Sequence, residues 1–241
     1  MRRITIFISL LLFCVVAAKA QKTIEPPTPT ALVIDAKGEE TNLVVGGDYS
    51  GPAPITVEFS ANAPEEEGFT LSYLWEFFRE GESERYLARR EANFKIDLRE
   101  SGTITVKPKI TYTSIENSEI YWPFDDEVYQ PFTISLNPSK LEVPNAFSPN
   151  GDGTNDYFNV INPESIIEFN GAIYNRWGQE LYRWGIDEIG CENCGWDGTY
   201  KGNPVKDGVY FVVIRAKGAD GIVYEIKRDV NLLRGYSEGI K

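Results

Sequence analysis

Short runs of alternating apolar and polar residues, separated by turn-forming residues, recur along this chain and leave little room for any architecture but an all-β one. Between residues 31 and 138, five such runs are rich in β-branched and aromatic side chains, and no comparable segment carries a helical stripe. Strands of this length and spacing are typical of a β-sandwich. The runs are ITVEFSA (55–61), TLSYLWEFF (70–78), NFKIDL (93–98), GTITVKPKITYT (102–113) and PFTISLN (131–137).

A second strand-rich segment extends from residue 141 to residue 234. The runs GVYFVVIRA (208–216) and IVYEIKRDVNLL (222–233) predict an antiparallel hairpin. The runs GAIYNRW and ELYRW predict another, which turns at Trp177–Gln179. The sequence therefore predicts an all-β fold of two tandem immunoglobulin-like β-sandwich domains. We place the first at 31–138 and the second at 139–241, with the boundary at Pro138-Ser139-Lys140.

The first twenty residues have the form of a secretory signal peptide. A basic start precedes a nearly continuous apolar run at 4–16, and residues 18–20 (AKA) form a small-x-small cleavage pattern. A lipoprotein signal would need a small residue directly before Cys14, where Phe13 stands. Residues 21–30 are a Pro/Thr-rich linker. We therefore expect an exported, soluble product without a second membrane-spanning stretch.

Composition narrows the classes of function. The formal net charge of −12 argues against a nucleic-acid partner, whose phosphates call for clustered Lys and Arg. The absence of histidine removes the usual general base and the commonest metal ligand. The acidic runs Glu65–Glu67 and Asp125–Glu127 offer carboxylate pairs of the kind glycosidases use, but nothing nearby would raise the pKa of one member. We expect solvated loops there and a non-enzymatic protein.

One predicted strand carries three large aromatic residues on one face, Tyr73, Trp75 and Phe77. They could form a sugar-binding platform or anchor a sandwich core, and the core interpretation is favoured. The Y-x-W-x-F strand, with the polar loop and the Gly102-initiated strand after it, resembles the PKD-type immunoglobulin-like module. The departure is that REGES (79–83) replaces the G-D-G usual after that strand.

The stretch VPNAFSPNGDGTNDYF (143–158) places oxygen-bearing side chains on alternate residues between glycines. Calcium favours such hard oxygens, so a structural calcium site is one interpretation, with no other cofactor expected. The stretch departs from the EF-hand pattern, because Asn155 replaces the glycine and Ile161 the bidentate glutamate. The alternative is an Asx- and Gly-stabilised turn, which we favour. The candidate calcium ligands are Asn150, Asp152, Thr154 and Asp156.

Five blocks occur in order between Val143 and Arg234: VPNAFSPNGDGTNDYF, IYNRWGQELY, GWDGTYKG, KDGVYFVVI and VNLLR. Together they resemble the gliding-motility-associated C-terminal domain, the type B sorting domain of the type IX secretion system. The residues taken as the sorting motif are Asn145, Pro149, Asn150, Gly151, Asp152, Gly153, Asn155, Asp156, Asn175, Arg176, Trp177, Gly178, Trp196, Asp197, Gly198, Leu232, Leu233 and Arg234.

The resemblance implies a folded export signal. Such a domain would be recognised in the periplasm and taken across the outer membrane, so that the protein stays at the cell surface or is released. The implied partners are the type IX translocon and an outer-membrane shuttle or anchoring protein. The chain departs from the family pattern in two places: the tail GYSEGIK (235–241) comes after the LLR that normally lies near the chain end, and GCENCG (190–195) is inserted before Trp196.

Two tryptophans of the sorting motif admit two interpretations. The dipeptide Arg176-Trp177 and the tripeptide Trp196-Asp197-Gly198 contain residue types that dominate binding hot spots. A sandwich of about ninety residues also needs large core anchors. By size alone we expect both tryptophans to be core residues.

Cys191 and Cys194 form a C-x-x-C pair. Zinc would need two more ligands in a chain without histidine, and a redox pair would need a helix start in a βαβ context. We therefore expect a small structural disulfide in an exported protein.

The leading hypothesis is a small surface protein with a binding or structural role. The alternative is an envelope-retained signalling or regulatory component that engages the secretion machinery or a periplasmic sensor. The reason for this alternative is that the first domain (31–138) is barely larger than the sorting domain (139–241).

Overall fold

The computed structural model describes residues 24–122, 129–191 and 193–235. In this part of the chain the regular structure is all strand, apart from a single 3-10 turn at Ile186–Glu188. No helix in the described ranges is long and apolar enough to cross a membrane. The predicted signal peptide, Asp125–Glu127 and most of the tail after Arg234 lie outside the described residues.

The N-terminal domain is built from two facing sheets. Sheet one has the strand order β2-β1-β4-β7 and is antiparallel throughout. Sheet two has the order β3-β10-β8-β5-β6, with β9 also paired to β8 and a parallel pairing between β3 and β10. The strands are β1 (Thr30–Ile34), β2 (Glu40–Val44), β3 (Asp48–Gly51), β4 (Ile55–Ser60), β5 (Phe69–Arg79), β6 (Leu87–Arg89), β7 (Asn93–Leu98), β8 (Gly102–Ser114), β9 (Ile120–Trp122) and β10 (Phe132–Leu136).

Aromatic residues form the centre of this sandwich. The ring of Phe59 on β4 lies 5.3 Å from that of Trp75 and 5.7 Å from that of Phe77, both on β5. Trp75 and Phe77 are fully buried, Tyr73 packs against the same cluster, and the Trp75 indole N–H donates to the carbonyl of Glu91 at 3.1 Å. The expectation that these three aromatics belong to the core is confirmed.

The C-terminal domain is centred on one five-stranded sheet of order β12-β19-β18-β14-β15. Its inner face packs against a second layer of short ladders and loops, which includes the pairs β11–β13 and β16–β17. The strands are β11 (Lys140–Glu142), β12 (Ala146–Phe147), β13 (Ile161–Glu164), β14 (Ile166–Tyr174), β15 (Glu180–Gly185), β16 (Thr199–Tyr200), β17 (Asn203–Pro204), β18 (Gly208–Gly218) and β19 (Val223–Leu232).

The predicted hairpin pattern agrees with the burial along β18. From Val209 onward every second residue is buried and the residues between are exposed or, at Val213, partly exposed, as a half-buried strand requires. Val212 and Ile214 point into the core, while Phe211 and Arg215 point outward. The all-β fold with sandwich architecture, expected from sequence, is confirmed.

The two domains share a hydrogen-bonded joint. Ala219, in the turn between β18 and β19, is buried among the core residues of the N-terminal domain. Its N–H donates to the carbonyl of Ser165 (2.8 Å), and its carbonyl accepts from the N–H of Ser101 (3.1 Å). The Ser165 hydroxyl, itself buried, accepts from the N–H of Ala53 (3.0 Å) and donates to the carbonyl of Asn137 (2.7 Å). The predicted boundary therefore lies in an ordered connection.

Candidate functional site

The loop between β12 and β13 is organised by the carboxylate of Asp156. One oxygen accepts the backbone N–H groups of Asn150 (3.0 Å) and Gly151 (2.7 Å), and the other accepts that of Gly153 (2.8 Å). The bonds from Gly151 and Gly153, with a smaller one from Asn150, hold the pKa of Asp156 below its ordinary value. Three donors converging on one carboxylate fix the curl of this loop.

The remaining candidate calcium ligands also bond within the loop. Asp152 accepts the Thr154 N–H at 2.8 Å and the Asn150 side-chain amide at 2.9 Å, and its own N–H donates to Asn150 Oδ1 at 3.1 Å. Within the described ranges, no cluster of three acidic or cysteine residues has the geometry to hold a metal ion. These contacts are those of an Asx- and Gly-stabilised turn, and the calcium set stays a prediction.

Trp196 contacts the end of that loop at Phe158. It is fully buried, and its backbone exchanges two hydrogen bonds with Phe158, at 2.8 and 3.0 Å. Its ring lies 5.0 Å from that of Tyr210 and 5.3 Å from that of Phe147, while its indole N–H donates to the carbonyl of Thr199 at 2.8 Å. The expectation that Trp196 is a core residue is confirmed.

Gly198 marks the point where three distant blocks meet. It has a φ of +75°, and a Cβ there would lie 2.8 Å from Pro149, 2.9 Å from the Arg234 guanidinium and 3.0 Å from Leu232. A side chain at this position would therefore collide with all three neighbours as well as strain the backbone. Asp197, next to it, accepts the N–H of Thr199 at 2.9 Å and stabilises the same turn.

Arg234 ties the end of the last strand to this meeting point. Its guanidinium donates to the carbonyls of Gly198 (3.0 Å) and Val205 (2.7 Å) and to Asp207 Oδ1 (2.8 Å). The backbone N–H of Arg234 donates to the other oxygen of Asp207 at 2.9 Å, and this bond and the guanidinium lower the pKa of Asp207.

Other motif residues complete the edge of the sheet. Leu232 is fully buried, whereas Leu233 is exposed and its N–H donates to the carbonyl of Phe147 at 3.1 Å. The carbonyl of Asn145 accepts the backbone N–H and the side-chain amide of Asn231, at 2.9 and 3.2 Å. The first and last blocks of the motif are thus paired along β12 and β19.

The NRWG block forms the turn between β14 and β15. Asn175 Oδ1 accepts the backbone N–H groups of Trp177 and Gln179, both at 3.0 Å, and Gly178 has a φ of +78°. Trp177 is 81% exposed, so the expectation that it is a core residue is wrong. The reason is its place in a tight turn beyond the end of the sheet, where the described part of the chain leaves most of the indole uncovered.

Cys191 and Cys194 are joined by a disulfide in the structure. The loop that contains it is held by Asn159, whose side-chain amide donates to the carbonyls of Glu188 (2.7 Å) and Cys194 (3.1 Å). Asn159 Oδ1 also accepts the indole N–H of the buried Trp184 at 3.1 Å.

Sequence reasoning missed Asn159 and Asp207. Both act through long-range contacts, to residues 25 to 35 positions away for Asn159 and 27 for Asp207. The available signal was weak: an Asn in the apolar run YFNVI, and an Asp before the glycine that starts β18.

The five blocks fold into one domain around a common core, as expected of a folded sorting signal. Residues 141–227 match the CHU_C type IX secretion signal domain family. The chain is therefore a type IX secretion-sorted protein that interacts with that machinery and is exported to the cell surface or the extracellular space. No curated protein matches the chain.

Solved structures show only a distant likeness. A tetra-tandem repeat from the extending region of a large adhesion protein is 11% identical, with 88% of this chain and 68% of that chain covered and a TM-score of 0.25. The chicken CNTN1 FN1–FN3 domains are 11% identical, with coverages of 86% and 89% and a TM-score of 0.28. Dimeric latent PorU from Porphyromonas gingivalis is 12% identical, with coverages of 86% and only 20% and a TM-score of 0.24. At these scores the likeness carries no functional information.

Proposed function

We propose that the chain is a non-enzymatic surface protein, delivered by its C-terminal domain and retained or released outside the outer membrane with a binding or structural role. The observation that carries the proposal is the type IX secretion signal domain matched at residues 141–227. An outer-membrane shuttle or anchoring protein is the proposed partner after recognition by the translocon.

A groove in the N-terminal domain supports the binding role. It has a volume of about 450 Å³ and lies between the β5–β6 loop and the β7–β8 turn. Tyr86, Leu87 and Ile96 contribute apolar surface, while Arg79 and Glu100 contribute charge and pair with each other at 2.8 Å. Pockets of this size with mixed apolar and polar walls are typical of small-ligand sites.

The test is protease accessibility on intact cells of the native strain. The full-length protein is compared with a deletion of Val143 to Lys241, while secretion of other cargo is followed. We expect full-length protein to be digested from outside and the truncated protein to remain in the periplasm. Since the deletion also removes Ala219 from the N-terminal core, tryptophan fluorescence of the purified truncated protein must show that the retained fragment is folded.

Two outcomes would contradict the proposal. External digestion of the truncated protein would show that the C-terminal domain is not needed for export. A shielded full-length protein whose loss disturbs the secretion of other cargo would instead assign it to the signalling or regulatory class, with a periplasmic sensor as the candidate partner.

A further inference from the structure

Trp177 is displayed on a turn that is already rigid. Beyond the two bonds that Asn175 Oδ1 accepts, the Asn175 N–H donates to the carbonyl of Gln179, and the Gly178 N–H donates to the carbonyl of Asn175, both at 3.0 Å. The Asn175 side-chain amide also donates to Gln179 Oε1 at 3.0 Å. Binding through the indole would therefore cost little backbone ordering. A tryptophan exposed to 81% on such a turn contributes little to the fold and is the residue type most enriched in hot spots.

A second hairpin lies beside this turn. Gln179 Nε2 donates to the hydroxyl of Tyr200 at 3.0 Å, which ties the β14–β15 turn to the β16–β17 hairpin. Each tip carries a cation close to an aromatic ring: Arg176 lies 5.4 Å from the Trp177 ring, and Lys201 lies 5.2 Å from the Tyr200 ring. We call residues 174–179, 200–202, 209 and 211 the two-tip surface.

Apolar residues continue this surface onto the outer face of the sheet. Tyr174 pairs with Phe211 across β14 and β18, and Val209 lies on the same face two residues before Phe211. Phe211 is 42% exposed and Val209 is 45% exposed. Because β18 begins where β14 ends, these side chains lie at the same end of the sheet as Trp177.

The charge of this end differs from that of the whole chain. Glu180 and Asp207 are each paired with an arginine, Arg183 and Arg234 respectively. Arg176, Lys201 and Lys206 have no ion pair among the described residues, and neither has the exposed Asp229, which lies opposite Phe211 on β19. The three cations outnumber this carboxylate, so a chain with a net charge of −12 presents an excess of positive charge around Trp177, the most exposed of the tryptophans whose burial the structure describes.

We propose that the two-tip surface docks onto an acidic protein surface that has an apolar recess for the Trp177 indole. The positive charges complement such a partner, and the aromatic and apolar residues supply its desolvated centre. The proposal rests on the proposed function, because the partner is sought among proteins of the export route. An anionic membrane is the weaker fit, since polybasic membrane sites use about four to eight Lys or Arg residues.

The first measurement is the rate at which variants of the full chain become accessible outside the cell. Replacing Trp177 by Ala is expected to lower that rate at least tenfold, about the loss produced by truncating a hot spot. Arg176→Glu should lower it too, while Arg176→Lys should retain most of it. Val223→Ala, at a position 66% exposed at the other end of the same sheet, is the matched control and should export normally. All variants should keep the wild-type unfolding midpoint.

The second measurement identifies the partner by photocrosslinking in the same cells. With Trp177→benzoylphenylalanine, the expected product is a crosslink to a protein segment rich in Asp and Glu that is absent when the photoreactive residue replaces Val44 (66% exposed). Purified full chain is also mixed with phosphatidylglycerol vesicles, and no binding that depends on Trp177 is expected.

Three results would overturn the proposal. The first is export of the folded Trp177→Ala variant at the wild-type rate. The second is the same crosslinked product when the photoreactive residue is at position 44. The third is binding to vesicles that is lost in Trp177→Ala, because such binding would assign the surface to a membrane. If Trp177→Ala is exported normally while the protein lacking Val143 to Lys241 stays in the periplasm, the docking proposal is wrong and the sorting function is still supported.

Discussion

At the scale of the residue, Asp156 shows how a side chain can act as the centre of a loop. Three backbone N–H groups point toward its carboxylate. The centre of the loop, where a bound ion would lie, is therefore occupied by a negatively charged group. A cation at the same position would face those N–H groups. The arrangement is an anion nest filled by the chain's own carboxylate.

This arrangement predicts a specific pH dependence. The backbone bonds from Gly151 and Gly153 lower the folded-state pKa of Asp156 below that of an ordinary aspartate, so its stabilising contribution is present above the ordinary pKa and is lost as pH falls through the folded-state value. Asp156→Asn should therefore lower the free energy of unfolding at pH 7, and the difference from wild type should shrink below about pH 4. Urea unfolding at pH 7, 5 and 3 measures it.

The control for this prediction is Asp48→Asn, at an exposed position of β3 where no described residue donates a hydrogen bond to the carboxylate. That variant should follow the wild type at all three pH values. A pH-independent loss in Asp156→Asn, or a melting temperature that rises with calcium and falls with a chelator, would contradict the turn interpretation.

The two tryptophans of the motif differ in burial although they are the same residue type. Residue size predicts burial, and it does so correctly for Trp196. It fails for Trp177 because exposure depends on whether a second layer lies over the turn, which local sequence does not specify. The turn itself was predicted at Trp177–Gln179, between two strand runs, and it lies there between β14 and β15.

At the scale of the element, most long strands can be predicted from their own alternation. The run NFKIDL coincides with β7, and the hairpin of β18 and β19 lies where its apolar pattern and glycine turn place it. The short strands β12, β16 and β17 were not predicted, because two residues are too few to show a period. Their positions depend on contacts distant in sequence, such as the parallel pairing of β12 with β19.

Arg234 anchors the end of β19, so its loss should weaken the C-terminal domain. Arg234→Ala removes the guanidinium that donates to the carbonyls of Gly198 and Val205 and to Asp207. We expect the free energy of unfolding to fall by about 1–3 kcal/mol as a result. Arg234→Lys should be intermediate, because an ammonium group lacks the planar fork that reaches all three acceptors. Urea unfolding of the full chain measures both.

Arg215→Ala is the matched control for this prediction. Arg215 is largely exposed on β18 and reaches Glu225 only at 3.8 Å, so its removal should change stability by less than about 1 kcal/mol. Equal losses in the two alanine variants would show that the contacts of Arg234 do not stabilise the end of the strand.

At the scale of the whole molecule, hydrogen bonds at the joint hold the C-terminal domain against the N-terminal domain. The connection at Asn137–Ser139 is held on both sides, because Asn137 accepts from the hydroxyls of Ser101 and Ser165 and Ser139 bonds to Asp220. The sequence predicts the gap between the strand runs at residues 138–140. It does not predict this joint, because the joint pairs Ser139 with Asp220, more than eighty positions away.

The joint predicts that the connection between the domains resists proteolysis as long as Ser165 is present. Ser165→Ala leaves the buried N–H of Ala53 without its acceptor, which costs about 1–3 kcal/mol and weakens docking of the β18–β19 turn. Limited proteolysis of the purified full chain should then cleave near residue 138 several times faster than in wild type. Ser72→Ala, at an exposed position of β5, should be cleaved at the wild-type rate. Equal cleavage rates in all three proteins would mean that the domains do not depend on this joint, and the sorting domain would then be a separable unit after all.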